Sequence, residues 1–290
     1  MKVVLLVPAL MLDNNRKANH TAMSYAIEHY PVDEIIVNDS EFREDDYREG
    51  FHYIGHHRER QGFVKTRNQL LEYFYNSDAD YAIWMDANGR VSKPTLSDFV
   101  TIVEALKSNK IEPDVLFSTL GIIISQERMT AKKMPNYFDK AFIVDFEKGY
   151  EWMHGLVIKN FKKYYGITPY IDDRCDPRKL APEDIYFTRL LKKLFNCKLM
   201  PGVVITKPNN KTSTWVADKK GYDYPKVDYT VIDKYVRDNL SKFESHRKQL
   251  VPCTIALDRL ESYKEFLKPY KPRGKKPNVG LLDNLTNASN

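Results

Sequence analysis

Val3-Val4-Leu5-Leu6-Val7 opens a pattern that leaves this chain few folds to choose from: short apolar strands alternate with amphipathic helices, and the strands end in polar residues. An unbroken aliphatic run closed by Pro8 is expected of a strand covered on both faces. Asn19 to Tyr30 follows with helical spacing, placing Ala22, Met23, Ala26 and Ile27 on one side. Glu34 to Val37 reads as a second strand running into Asn38-Asp39-Ser40, and Phe51 to Ile54 as a third. Phe63 to Tyr75 is a helix with Leu70, Leu71 and Phe74 on its apolar side. Tyr81 to Met85 is a fourth strand, running into Asp86-Ala87-Asn88-Gly89, and Leu96 to Ser108 is a helix. Asp114 to Ser118 and Ile122 to Ile124 read as further strand. Such βαβ units make an α/β fold with a mostly parallel sheet flanked by helices. Right-handed crossovers bring the polar strand ends to one edge, and ligands of such sheets bind in the crevice there. Asp39 and Asp86 are therefore expected on that rim.

The chain is less regular after residue 120. Ala141 to Val144 and Gly155 to Ile158 read as short, antiparallel strands, Glu183 to Leu194 as a helix, and Met200 to Thr206 as another strand. Val231 to Leu240 and Ile255 to Leu267 have the pattern of surface helices, and Lys268 to Pro277 the composition of a basic extended tail. This divides the chain into a body over 1–206, with halves of about 1–120 and 121–206, and a basic, helical C-terminal region over 207–290.

The charge supports that division. The 290 residues carry +6, yet Lys207 to Lys276 holds 17 Lys and Arg against 9 Asp and Glu, whereas residues 1–206 hold 28 against 29. An excess confined to one segment points to an anionic partner; a solvated face serving solubility is the plainer alternative. Cys175, Cys197 and Cys253 have neither disulfide-framework nor zinc-ligand spacing, which fits a reducing, cytoplasmic setting. No apolar run approaches the roughly 18 residues of a membrane span. Met1 to Val7 is cut short by Pro8 and polar residues from Asp13 onward, which favours a buried strand over a signal peptide.

Trp84-Met85-Asp86-Ala87-Asn88 is the strongest local signal. A strand delivers a carboxylate and, two residues on, a second oxygen donor, an arrangement suited to a hard divalent cation on nucleotide phosphates. A plain Asp/Asn/Gly turn gives the same letters. Gly62-Phe63-Val64-Lys65-Thr66-Arg67-Asn68 begins the preceding helix, where Arg67 has the reach for a phosphate or a base. Glu183-Asp184 begins a later helix, either as a complement to its dipole or as a general base in the crevice. His56-His57, Arg58 and Arg60 form a cationic cluster read as loop surface, and Lys207, Lys211, Lys219 and Lys220 are further candidate cations.

In this order the pieces resemble the nucleotide-sugar glycosyltransferases of GT-A (Rossmann-like) architecture, in particular the large family-two type. The resemblance covers roughly residues 1–206 and rests on Val7-Pro8, Asn38-Asp39-Ser40, Gly62 with Arg67-Asn68, Asp86-Ala87-Asn88 and Glu183-Asp184. It implies a UDP-sugar donor bound by Pro8, Asp39, Arg67, Asp86, Ala87 and Asn88, with Asp39 on the uracil. It also implies Mn²⁺ or Mg²⁺ on Asp86 and Asn88, and Asp184 or Glu183 as the base of an inverting transfer. Asn88 stands where the family often has a second Asp, so metal binding is expected to be weak or dispensable. Trp152, His154 and Gly155 fall where the family builds small antiparallel acceptor-side elements; ordinary packing is the alternative for Trp152 and His154.

The overall style, rich in Tyr, Lys, Asn and Asp, is similar to that of T-even-type bacteriophage products. Sugar transferases of those phages decorate hydroxymethylated cytosines in DNA. That resemblance implies a DNA acceptor, with Lys271, Arg273, Lys275 and Lys276 of the tail on its phosphates. A saccharide or lipooligosaccharide acceptor is the alternative. Two rival classes remain: a non-catalytic nucleic-acid-binding α/β protein, which has no recognisable binding motif here, and a nucleotidyltransferase, whose Gly-rich phosphate loop is missing from Pro8 to Arg16.

Overall fold

Side chains of a strand alternate between sheet faces, and here the alternation sorts one strand into two cores. In β1 (Val3–Ala9), Val4 and Leu6 join one apolar cluster while Val3, Leu5 and Val7 join another. The computed structural model describes residues 1–11, 16–39, 46–56, 61–125, 128–131, 144–145, 153–176, 181–195, 197–208 and 227–243. After β1 come α1 (Arg16–His29), β2 (Glu34–Asp39), β3 (His52–His56), α2 (Phe63–Asn76), β4 (Tyr81–Trp84) and β5 (Arg90–Val91). α3 (Leu96–Lys107), β6 (Val115–Ser125), β7 (Arg128–Ala131), β8 (Val144–Asp145) and β9 (Leu156–Lys159) follow. The last elements are α4 (Phe161–Tyr165), α5 (Glu183–Leu194), β10 (Cys197–Pro208) and α6 (Tyr229–Leu240).

The strands form one sheet in the order β3-β2-β1-β4-β9-β6-β10-β5, with β7 on β6 and β8 on β10. The pairings β3–β2, β2–β1, β1–β4 and β6–β10 are parallel, as the βαβ pattern requires. β9 runs antiparallel to both of its neighbours, β4 and β6, so the polypeptide returns through the middle of the sheet. One face carries α2, α5 and α6, in one apolar cluster with Trp84 and Phe117; the other carries α1 and α3, in a cluster with Tyr81 and Ile83. No helix among the described residues is long and apolar enough to cross a membrane.

Several expectations are adjusted. Asp114–Ser118 and Ile122–Ile124 are not separate strands: β6 runs unbroken because Thr119, Leu120 and Gly121 continue its ladder with Val204, Ile205 and Thr206. β3 extends to His56, which is thus a strand residue rather than loop. The helix expected at the surface over Val231–Leu240 is instead half in the core: α6 sets Ile232 and Val236, at i and i+4, into the cluster that α5 also enters. Ile255–Leu267, the basic tail and most of Ala141–Val144 lie outside the described residues.

A salt-bridged clamp ties α6 to the segment before α5. Arg174 bonds Asp172 at 2.7 Å and Asp238 at 2.9 Å, and Asn239 of α6 donates to Asp172 at 2.7 Å. Burial alone would raise the Asp172 pKa; the hydrogen bonds from Arg174 and Asn239 outweigh it and hold the carboxyl at about 2. A depressed carboxylate contributes stability above its unfolded value and loses it as pH falls through the folded one. Asp172→Asn is therefore expected to flatten the stability profile between about pH 4 and pH 2, read by denaturant unfolding at each pH. An unaltered slope would show that the clamp is not what acid breaks.

Candidate active site

The parity of β4 determines where its motif points. Ala82 and Trp84 lie in the cluster facing α2, and Asp86, two residues beyond Trp84, keeps to that side. Gly89 N–H donates to the Asp86 carbonyl at 2.7 Å, closing the turn that presents Asp86-Ala87-Asn88. From α2, the Arg67 side chain comes to meet it. Its guanidinium is buried, donating to Glu183 Oε1 at 2.5 Å and to Asp86 Oδ1 at 3.3 Å. Thus Arg67 joins the D-x-N turn after β4 to the Glu183-Asp184 pair that begins α5, Glu183 being 116 residues beyond Arg67 itself.

His154 reaches Asp86 from the other side, its Nε2 3.5 Å from Asp86 Oδ2. What puts it there is Gly155, whose φ of +67° is costly for any residue with a Cβ. A Cβ at that position would also collide with the side chains of Ser118 and Ile205. Gly155 N–H bonds the Trp84 carbonyl at 2.7 Å, and Ser118 Oγ donates to the His154 carbonyl at 2.6 Å. The turn into β9 is therefore pinned against β4 and β6, with His154 held beside the motif.

Two of the three asparagines of these motifs, Asn38 and Asn68, serve as braces. Asn38 is fully buried and donates to the Thr66 carbonyl and to Gln69 Oε1, both at 2.9 Å, fixing the end of β2 against α2. Asn68 exchanges hydrogen bonds with the backbone of Ile171 at 2.8 and 2.9 Å, fixing the segment that leads to α5. Asp39 is the last residue of β2 and fully buried, in register with Ala9, while Pro8 is paired with Asn38.

The electrostatics distinguish the two members of the acidic pair. Burial works against the charge on Arg67, but Glu183, Asp86 and Asp184 outweigh it and push the guanidinium pKa up. Glu183 is buried and committed to Arg67 through Oε1, while Oε2 has no hydrogen-bond partner among the described residues. Asp184 is half-buried, and its Oδ1 accepts the Ile185 N–H at 2.8 Å. Of the pair, Asp184 is the more accessible to a second molecule.

A divalent cation here would draw on Asp86 and Asn88. Asn88 Oδ1 is buried with no hydrogen-bond partner among the described residues, and the Asp86 side chain is 21% exposed. No cluster of three or more His, Cys, Asp or Glu suited to a metal occurs among the described residues. Two oxygen donors still fit Mg²⁺ or Mn²⁺, which commonly complete their shells with substrate phosphates and water.

Of the residues singled out from sequence, Asp86, Arg67, Glu183 and His154 are brought together, with Asp184 and Gly155 adjoining them. Trp152, Arg58, Arg60, Lys211, Lys219, Lys220, Lys271, Arg273, Lys275 and Lys276 lie outside the described residues. Ser118 was not anticipated, since nothing in its sequence surroundings marks a serine that supports His154 from a neighbouring strand.

No family model matches the sequence, and no curated protein matches it. The fold does have solved counterparts. Residues 1–349 of S. aureus TarS in complex with UDP-GlcNAc align with a TM-score of 0.51 at 13% identity, covering 93% of this chain and 82% of that one. The same S. aureus fragment in complex with UDP aligns with a TM-score of 0.50 at 14% identity, covering 93% and 80%. At this identity the likeness is one of fold, and the chain has the GT-A type of sheet: mostly parallel, flanked by helices, with small antiparallel elements.

Proposed function

We propose that this protein is a glycosyltransferase that moves a sugar from a UDP-sugar to a hydroxyl group. The observation that carries the reading is the Arg67 bridge, which links the D-x-N turn to the acidic pair of α5 at the carboxyl edge of a GT-A-type sheet. TarS, similar in fold, is solved with UDP-GlcNAc and with UDP, which supports the choice of donor.

A sugar nucleotide already carries a good leaving group, so the protein has to activate one hydroxyl and stabilise the departing diphosphate. Pro8 and Asp39 border the uracil, with the Asp39 carboxylate accepting its N3–H. Asp86, Ala87 and Asn88 face the diphosphate; Mn²⁺ or Mg²⁺ on Asp86 and Asn88 supplies neutralising charge there when bound. Arg67 holds Glu183 and Asp86 in place, and His154 lies beside the transferred sugar. Asp184 takes the proton of the acceptor hydroxyl, whose oxygen then bonds to the anomeric carbon as the bond to UDP breaks. Attack opposite the leaving group inverts that carbon.

For the acceptor we favour an anionic polymer, specifically hydroxymethylcytosine in DNA. The supporting observation is the basic excess between Lys207 and Lys276. The test is release of nucleotide from a panel of sugar nucleotides, with Mn²⁺ or Mg²⁺ and either hydroxymethylcytosine DNA or a saccharide as acceptor. UDP and a mass increase on the DNA are expected, and with Mn²⁺ or Mg²⁺ present Asp86→Ala should weaken UDP binding about tenfold, the size expected for loss of a charged contact to the cation. Pyrophosphate release, or no nucleotide release from any donor, would sink the reading; a mass increase on the saccharide alone would overturn the DNA acceptor.

A further inference from the structure

The turn that carries Asp86-Ala87-Asn88 has a second face. Strand parity sends Asp86 toward α2, so Met85 and Ala87 turn the other way, into the cluster that α1 and α3 enter. Tyr30, the residue that follows α1, is buried in the same cluster. Its N–H closes the helix on the Ala26 carbonyl at 3.0 Å, and Pro31 prevents the helix from continuing. The ring stands edge-on to Phe99 of α3, with centroids 4.9 Å apart. Its hydroxyl thereby arrives between Met85, which precedes the turn, and β5, which follows it. Oη accepts the Val91 N–H at 2.7 Å and donates to Met85 Sδ at 3.7 Å.

The two contacts act differently. β5 ends the strand order of the sheet, and Ser92 N–H donates to the Val204 carbonyl of β10 at 2.8 Å. By alternation, the Val91 N–H one residue earlier points away from β10, to the side where β5 has no neighbouring strand among the described residues. Val91 is fully buried, so the Tyr30 hydroxyl spares it a buried donor with no acceptor. Met85 in turn is the floor of the turn. A Cβ on Gly89 would come 3.0 Å from Met85 Cγ and 3.2 Å from the Asp86 carbonyl oxygen, so the turn is folded closely onto that side chain. Burial pushes the Tyr30 pKa well up against the pull of the Val91 N–H, which keeps the hydroxyl neutral, with one proton to give and lone pairs to accept. A single hydroxyl thus ties together both ends of the segment that presents Asp86 and Asn88. Arg67 holds that segment from one face of the sheet, and Tyr30 holds it from the other.

We infer that Tyr30 is a positioning residue for the donor: through Met85 and Val91, its hydroxyl sets the D-x-N turn so that Asp86 and Asn88 face the diphosphate and its cation. The inference rests on the sugar-transfer reading for what the turn binds. Its test compares Tyr30→Phe, which loses only the hydroxyl, with Phe99→Leu, which loosens the packing around the same ring and keeps the hydroxyl. UDP affinity is measured by calorimetry with and without Mn²⁺, alongside melting temperature and hydrogen exchange of a peptide over residues 85–91. Tyr30→Phe should weaken UDP binding in Mn²⁺ about tenfold, the lower end of the range for losing a group that orients metal ligands, and by less than about twofold without the metal. Exchange over residues 85–91 should quicken about tenfold, from the cost of an unpaired buried N–H. Phe99→Leu should lower the melting temperature at least as far while leaving affinity and exchange within about twofold of the parent. Equal weakening of UDP binding in the two variants would reduce the hydroxyl to a packing role and overturn the inference. Unchanged exchange in Tyr30→Phe would do the same, as would a loss of affinity that is no smaller without Mn²⁺. If the parent chain binds no UDP, the donor reading fails, and the exchange measurement alone decides whether Tyr30 holds the turn.

Discussion

Asp184→Asn is expected to lower sugar transfer by about 10²–10⁴-fold, the range for loss of a positioned general base, while UDP affinity stays within about twofold of the parent. The physical ground is the contrast within the acidic pair. Glu183 is buried, and its Oε1 is already engaged by Arg67 at 2.5 Å. Asp184 is half-buried at the first turn of α5, where its Oδ1 accepts the Ile185 N–H. Asparagine preserves its shape and its ability to accept that N–H but cannot take a proton. Glu183→Gln should behave differently: its loss passes through Arg67, so melting temperature and UDP binding should fall along with the rate. The two variants are compared by UDP release under saturating donor and by calorimetric titration with UDP. If Asp184→Asn keeps more than a tenth of the parental rate, the base lies elsewhere.

How far such a site could be read from sequence depends on the distance over which its parts interact. Apart from the two-residue β5, the strands and helices up to residue 108 follow the expected pattern because each is set by local periodicity. The direction of Asp86 was legible too, because the parity that buries Trp84 toward α2 continues two residues past β4. β9 was legible as an antiparallel strand, but its place between β4 and β6 was not, since its partners are 72–78 and 41–43 residues away. That insertion is what brings His154 to Asp86, with a glycine in the left-handed region as its enabling residue. A glycine after a histidine has many uses, and only the close approach of Ser118 and Ile205 singles this one out. Arg67 was marked from sequence as a side chain with the reach for a phosphate, whereas its immediate partners are carboxylates from two distant elements.

Arg67→Met is expected to cost about 3–5 kcal/mol of folding stability, the range for removing one member of a buried ion pair, and to lower the melting temperature by roughly 6–20 °C at 2–4 °C per kcal/mol. The loss comes from what remains rather than from the contact removed. Methionine fills much of the space beside Met153 and Trp84, two of the side chains that surround Arg67. Glu183, however, is left buried with a charge and no guanidinium beside it, and Asp86 loses the guanidinium that flanks it. Pairing Arg67→Met with Glu183→Gln should therefore recover part of the stability, because the stranded charge goes with its partner. Neither protein should regain transfer, since Asp86 and the start of α5 would no longer be tied together. Arg67→Lys should be intermediate, as a single ammonium cannot reproduce the forked geometry that reaches two carboxylates at once. Thermal and denaturant unfolding of these three variants and of Glu183→Gln alone check this directly. If the double variant is as unstable as the two single losses added together, the Arg67–Glu183 pair is not coupled, and the bridge between the β4 turn and α5 loses its energetic role.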